Sequence, residues 1–130
     1  MAKDFEILPE VVAKDPLALT YRLGDAQWAA VIDWIVENLI QSEESGVTEA
    51  NVEQMKLSED PVIGRLLGTQ HGYGQYLGLD DEWMARVVET VGNYGELFDR
   101  DLGMHSPMRL DRGANELSSR GGLMAASPIR

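Results

Sequence analysis

The sequence predicts a mainly α fold, with four to six helices, one strand lacking an evident partner, an extended arm before it and a loose tail at the end. Three observations carry that prediction. Apolar residues between positions 25 and 91 recur at three- and four-residue steps, the period of an amphipathic helix. The runs open on capping residues and several close on a glycine. Only Leu17-Ala18-Leu19-Thr20-Tyr21 has strand character, and Pro9 and Pro16 keep helix out of the residues before it.

Residues 4–23 read as an irregular arm, led by Phe5, Ile7 and Leu8, and one strand ending near Arg22. A lone strand leaves its backbone groups unpaired, so a second copy or more of the protein must supply its neighbour. Gly24-Asp25 opens the strongest helix. Asp25 is a good N-cap, and Trp28, Val31, Ile32, Ile35, Leu39 and Ile40 form its stripe, with Trp34 and Val36 widening it towards burial on two sides. The helix should run to about Ser45, with Gly46 just past its end. Thr48 caps a second helix, with Val47 and Val52 as a hydrophobic staple across the cap. Asp60-Pro61 starts a third, since proline at the first helical position loses no hydrogen bond. Val62, Ile63, Leu66 and Leu67 are its buried stripe, and Gly68 ends it.

Residues 68–78, Gly-Thr-Gln-His-Gly-Tyr-Gly-Gln-Tyr-Leu-Gly, resemble a phosphate loop only superficially. No strand precedes them, the glycines are misspaced and no Lys-Ser/Thr follows. They read as a turn anchored by Tyr73, Tyr76 and Leu77. Asp80 caps a fourth helix, stapled by Leu79 and Met84 and striped by Trp83, Val87, Val88 and Val91. Gly92 and Gly95 then flank an Asn-Tyr pair, so the backbone should turn within Val91–Arg100 while Tyr94, Leu97 and Phe98 stay available for burial. In the Gly/Ser/Met/Pro-rich tail, only Leu110–Leu117 could hold another short helix.

At 130 residues the natural expectation is one domain, 1–130: arm and strand 1–23, helical region 24–103 and tail 104–130. Such a chain buries roughly two-thirds of its unfolded surface. Twenty-two acidic against eleven basic residues give a net charge of −11, which argues against nucleic-acid and anionic-membrane binding. The absence of cysteine removes disulfides, zinc–thiolate sites and thiol catalysis together. No basic segment leads into an apolar one, so the chain reads as carrying no secretory signal, and no apolar run approaches the roughly 18 residues of a membrane span.

Signals for chemistry are thin. His71 and His105 lie in glycine-flanked loops without a partner at ligand spacing, so no metal site is predicted. No nucleophile elbow is present. Asp80, Asp81 and Glu82 fall in a helix's first turn, where they favour its dipole, and Glu43 and Glu44 read as solvated surface at a helix end. Trp28, Trp34 and Trp83 stand at helical spacing and read as core rather than as pocket lining. The sequence gives no reason to expect an enzyme, a cofactor or a catalytic residue.

The order of the motifs says more than any one of them. Phe5-Glu6-Ile7-Leu8-Pro9-Glu10, Pro16 to Tyr21 and Arg22-Leu23-Gly24-Asp25-Ala26-Gln27-Trp28 come first. Gly46-Val47-Thr48-Glu49-Ala50-Asn51-Val52, Arg65-Leu66-Leu67-Gly68 and Leu77-Gly78-Leu79-Asp80 follow. Val91 to Phe98, Gly121-Gly122-Leu123-Met124 and Pro128-Ile129-Arg130 complete the series. The series resembles the C-terminal portion of the general L-amino-acid-binding branch of the family 3 extracellular solute-binding proteins. That resemblance implies the C-terminal part of an α/β periplasmic-binding-protein-like (type II) fold. Residues 17–21 would be a hinge strand and Gly92 to Phe98 the segment that clamps a last helix onto the first lobe, with residues 46–90 inserted between hinge helix and clamp. It also implies amino-acid capture in the periplasm, with L-amino acids and an ABC permease as partners. The family's pocket residues would lie before residue 1, so no ligand-binding residue is assigned here. The alternative is a free-standing helical interaction module, a homodimer through the unpaired strand and the Trp-rich helix face.

Overall fold

A computed structural model of the protein describes residues 8, 10, 12, 13 and 16–129. Phe5, Ile7 and Pro9 of the expected arm, and Arg130, lie outside the described residues. Among the described residues the order is α1 (Ala26–Glu44), α2 (Val52–Met55), α3 (Pro61–Leu67), α4 (Trp83–Val91) and α5 (Tyr94–Asp101). Short 3-10 turns lie at Gly74–Leu77, Gly113–Asn115 and Ser118–Arg120. The longest helix, α1, is the spine: α3, α4 and α5 all pack on it, and α2 packs on α4.

Helix α1 begins as its sequence predicts, with the Asp25 carboxylate accepting from the Trp28 N–H at 2.9 Å. It ends at Glu44, and just beyond it Gly46, with φ 68°, reverses the chain and lets the Val47 N–H donate to the Ser42 carbonyl at 2.8 Å. That turn drops Val47 into the core beside Val52, so both members of the expected staple are buried. Thr48, however, does not cap α2. The Asn51 carboxamide closes the turn instead, accepting from the Thr48 N–H (2.7 Å) and donating to the Gly46 carbonyl (3.0 Å). An asparagine that bonds backbone in this way competes with helix, and α2 starts only at Val52 and lasts one turn.

Helix α3 follows its prediction: Asp60 accepts from the Val62 N–H at 2.8 Å, Pro61 occupies the first turn and Gly68 ends the helix with φ 80°. The next loop is tied rather than loose. The Gly74 N–H donates to the Asp81 carboxylate at 3.0 Å and the Leu79 N–H to the Gly74 carbonyl at 3.1 Å. Tyr73 and Leu77 are half-buried there, but Tyr76 is 82% exposed and anchors nothing. Asp80 serves the turn before α4, accepting from the Glu82 N–H at 3.1 Å, and the helix proper begins at Trp83.

Leu39, Val47, Val52, Ile63, Leu66, Leu67, Met84, Ala85 and Val88 form one buried cluster. Each fully buried Val, Leu or Met side chain contributes about 1.5–3 kcal/mol relative to exposure. Val87, Val91, Tyr94, Leu97 and Ile129 pack around it.

The two glycines of the Val91–Arg100 segment part company. Gly92 stops α4 with φ 79°, as expected. Gly95 breaks nothing and sits in the first turn of α5. A capping box holds that turn, the Asn93 side chain accepting from the Glu96 N–H (3.0 Å) and the Glu96 carboxylate from the Asn93 N–H (2.8 Å). The Asn93 amide also donates to the Val47 carbonyl at 2.7 Å, locking the α4–α5 corner to the α1–α2 turn.

The predicted Leu110–Leu117 helix shrinks to the Gly113–Asn115 turn, and a parallel bridge pairs Leu117 with Met124. The tail then runs back along α1: the Ser127 N–H donates to Glu37 at 2.6 Å and the Ala126 N–H to Glu44 at 3.4 Å. No strand is found among the described residues. Residues 16–22 carry no regular structure, because no described residue offers them a sheet edge. Leu17, Leu19, Leu23 and Trp28 are exposed, so Trp28, 51% exposed, is not the core residue its spacing predicts.

Candidate functional site

Two clefts of similar size flank α1. The first, about 590 Å³, surrounds an ion pair between the end of α1 and the tail. Arg112 grips Glu43 with two parallel hydrogen bonds, Nη1 to Oε1 and Nη2 to Oε2 at 3.0 Å. Nη2 also donates to the Asn115 carbonyl at 2.8 Å, and Glu116 lies 3.3 Å from Nη1. The guanidinium carbon sits 5.6 Å from the Tyr94 ring centroid and 5.8 Å from that of Phe98, within cation–π range. Arg120 approaches the same two carboxylates at 3.7–3.8 Å.

The Glu43 side chain is only 8% exposed and that of Arg112 17%. The sequence reading of Glu43 as solvated surface is therefore corrected, while Glu44 is exposed as expected. Hydrogen bonding to Glu43 raises the Arg112 pKa above its ordinary value, and burial raises that of the Tyr94 phenol. Gly95 makes the approach feasible: a Cβ there would stand 2.8 Å from the Glu43 carboxyl and 3.0 Å from Arg112 Nη1. Each charge in this centre faces an opposite one, so it offers no free base or nucleophile. It acts as a clasp.

The second cleft is a groove of about 580 Å³ between α1, α3, the Gly74–Leu77 turn and the start of α4. Trp34, Trp83, Tyr73 and Tyr76 supply aromatic surface, and Asn38, Arg65 and His71 polar groups. Trp34 and Trp83 are half-buried, so two of the three tryptophans line a cleft, and Trp83 also touches the core.

The histidines do have partners, although not at sequence spacings that reveal them. His71 Nδ1 stands 3.4 Å from Asp81, and His105 Nδ1 bonds Asp99. The His105 hydrogen bond holds the Asp99 carboxyl below the usual aspartate range. The backbone N–H groups of Gly72 and Gly74 do the same for Asp81, and the Arg86 side chain for Asp80. Among the described residues no three His, Asp or Glu side chains gather as a metal site would require, and no helix is long and apolar enough to cross a membrane.

No family model matches the chain. The chain is 46% identical over 126 residues to the general L-amino acid-binding periplasmic protein AapJ of Rhizobium johnstonii, matching 95% of this chain and 37% of that one. It is 40% identical over 130 residues to the glutamate/glutamine/aspartate/asparagine-binding protein BztA of Rhodobacter capsulatus, matching 99% of this chain and 38% of that protein. The putative amino-acid ABC transporter-binding protein YhdW of Escherichia coli is 37% identical over 125 residues, with 95% and 37% covered. A solved ABC transporter periplasmic binding protein from Brucella ovis, with glutathione bound, superposes with a TM-score of 0.89 at 46% identity, over 95% of this chain and 39% of that one. The chain thus spans little more than a third of the length of the relatives it matches. These relatives are solute-binding proteins and not enzymes by name.

Proposed function

We propose that this chain, which corresponds to the C-terminal portion of amino-acid-binding proteins of ABC transporters, takes part in periplasmic capture of L-amino acids for a membrane permease. The observation that carries the reading is the 46% identity to AapJ over 95% of the chain, matched by the 0.89 superposition on a binding protein of the same kind. The free-standing interaction module is not favoured by these relatives.

Its part in such a protein is structural and not catalytic. The core cluster and the Glu43–Arg112 clasp hold a helical body, and the exposed strip from Leu17 to Trp28 meets the remainder of the binding protein. The strip supplies apolar side chains and unpaired backbone, which is what a hinge strand contributes to a sheet. The pocket for the amino-acid head group belongs to the two-thirds of the relatives' length that this chain does not span. Glutathione in the Brucella ovis protein carries an α-amino-acid head group too, so that group is the shared element of the ligands.

Two calorimetric titrations test the reading. The 130-residue chain titrated with an L-amino-acid mixture should give no saturable heat. A chimera in which it replaces the corresponding segment of BztA should bind glutamate within about tenfold of BztA, a difference of about 1.4 kcal/mol. Tight stoichiometric heat from the chain alone would overturn the pocket assignment. A folded chimera that binds nothing would sink the proposed role.

A further inference from the structure

The groove between α1 and α3 holds an arginine that no described residue neutralises. The Arg65 guanidinium forms no salt bridge and no hydrogen bond among the described residues, and its Nε is buried without a partner. A second polar group in the same groove is equally unmet. Asn38 is 6% exposed, and its Oδ1 is buried with no hydrogen bond. An unpartnered buried polar group costs about 1–3 kcal/mol, and orphans of this kind call for a ligand or an ordered water. Trp34, Trp83 and Tyr73 line the same groove, and none of its lining residues is acidic.

From this we infer that the groove is a binding site for a small aromatic carboxylate, separate from any pocket for an amino-acid head group. The carboxylate pairs with the Arg65 fork, which presents parallel N–H groups matched to two oxygens. The unmet Asn38 Oδ1 is an acceptor, so it takes its hydrogen from an ordered water beside the ligand and not from the carboxylate. The ligand ring stacks in offset fashion on the tryptophan and tyrosine faces. A volume of about 580 Å³ lies within the range of small-molecule pockets. With no acid in its lining, the groove offers an ammonium group neutral acceptors but no opposite charge. It therefore selects a plain carboxylate over the zwitterionic amino acid of the same side chain.

Tryptophan fluorescence of the full chain, titrated with 3-phenylpropanoate, reads the site directly because Trp34 and Trp83 line it. A saturable change is expected, with L-phenylalanine and the neutral 3-phenylpropanamide each binding at least about tenfold more weakly. Arg65→Gln should weaken 3-phenylpropanoate by about tenfold or more, and Arg65→Lys by less, since it keeps the charge but not the fork. Unchanged far-ultraviolet circular dichroism certifies that each variant folds, and Arg65→Lys carries the test should Arg65→Gln not fold. The inference is overturned by the absence of a saturable change, by equal binding of the amide or of L-phenylalanine, or by a folded Arg65→Gln that binds as the parent does. None of these outcomes bears on the chimera's amino-acid binding, so the two readings fail separately.

Discussion

Alanine at position 95 should destabilise the protein, and removing Glu43 should reverse the sign of that effect. Gly95 lies inside α5 with an ordinary helical backbone, so by propensity alone Gly→Ala stabilises by about 1 kcal/mol. The structure opposes this. The new Cβ would stand 2.8 Å from both the Glu43 Cδ and Oε1, and 3.0 Å from Arg112 Nη1, all closer than contact distance. A free surface carboxylate would swing away at little cost. This one is 8% exposed and held by two guanidinium bonds, so moving it strains or opens a buried ion pair. Overpacking costs about 1–3 kcal/mol and breaking a buried pair about 3–5, so a partial opening should cost about 2–4. The net expectation for Gly95→Ala is a loss of about 1–3 kcal/mol after the propensity gain. In a Glu43→Ala background, itself destabilised, the obstacle is gone and Arg112 is free to give way. There the same substitution should be neutral or stabilising by up to about 1 kcal/mol. Urea denaturation of the four proteins, followed by circular dichroism with the m-value held common, yields the coupling energy. A Gly95→Ala effect of the same size and sign in both backgrounds would refute the reasoning.

Asn93→Ala removes the capping box and the bond to the Val47 carbonyl together, and should lower stability by about 2–3 kcal/mol in the same urea assay. Val88→Ala, deep in the cluster, should cost about 1–3 kcal/mol, the cavity adding to the lost transfer term. Asp80, Asp81 and Asp99 all have folded-state pKa values below the unfolded one, so their contribution is present above the ordinary aspartate range and is lost as pH falls through the folded values. Melting temperature should therefore decline below about pH 4, and the decline should be shallower in Asp81→Asn. With Leu17, Leu23 and Trp28 exposed, light scattering at rising concentration should detect weak self-association that Trp28→Ser reduces; a concentration-independent monomer mass would contradict it.

Much of the helical body was legible because its signals are local. Asp25, Asp60-Pro61 and Gly68 mark helix ends whose hydrogen bonds close within a few residues, and the Met84/Val88 stripe needs only the 3.6-residue period. Helix α5 was harder to see because two glycines mask a capping box whose halves, Asn93 and Glu96, are themselves ordinary residues. Thr48 misled because it sits between Val47 and Val52 where a staple places its cap, while Asn51, the stronger capping residue three positions later, won the competition for backbone. The clasp was illegible in principle: Glu43 and Arg112 are 69 positions apart, and nothing near either announces the other. The groove was half legible. The tryptophan spacing could be seen, but that Arg65 comes to lie among those rings depends on how α3 crosses α1.

The tail's attachment to α1 also constrains the order of events during synthesis. Glu37, Glu43 and Glu44 all wait on groups 69 to 90 positions later, in Arg112, Ser127 and Ala126. Domains tend to fold as units, N-terminal segments emerging first, and contacts of such separation close late. Until Arg112 leaves the ribosome, the carboxylate of Glu43 has no cation to meet and its burial is unfavourable. The spine helix is thus made early and completed last: its apolar stripe is covered once α3 to α5 are made, and the carboxylates of Glu37, Glu43 and Glu44 are the groups that wait longest.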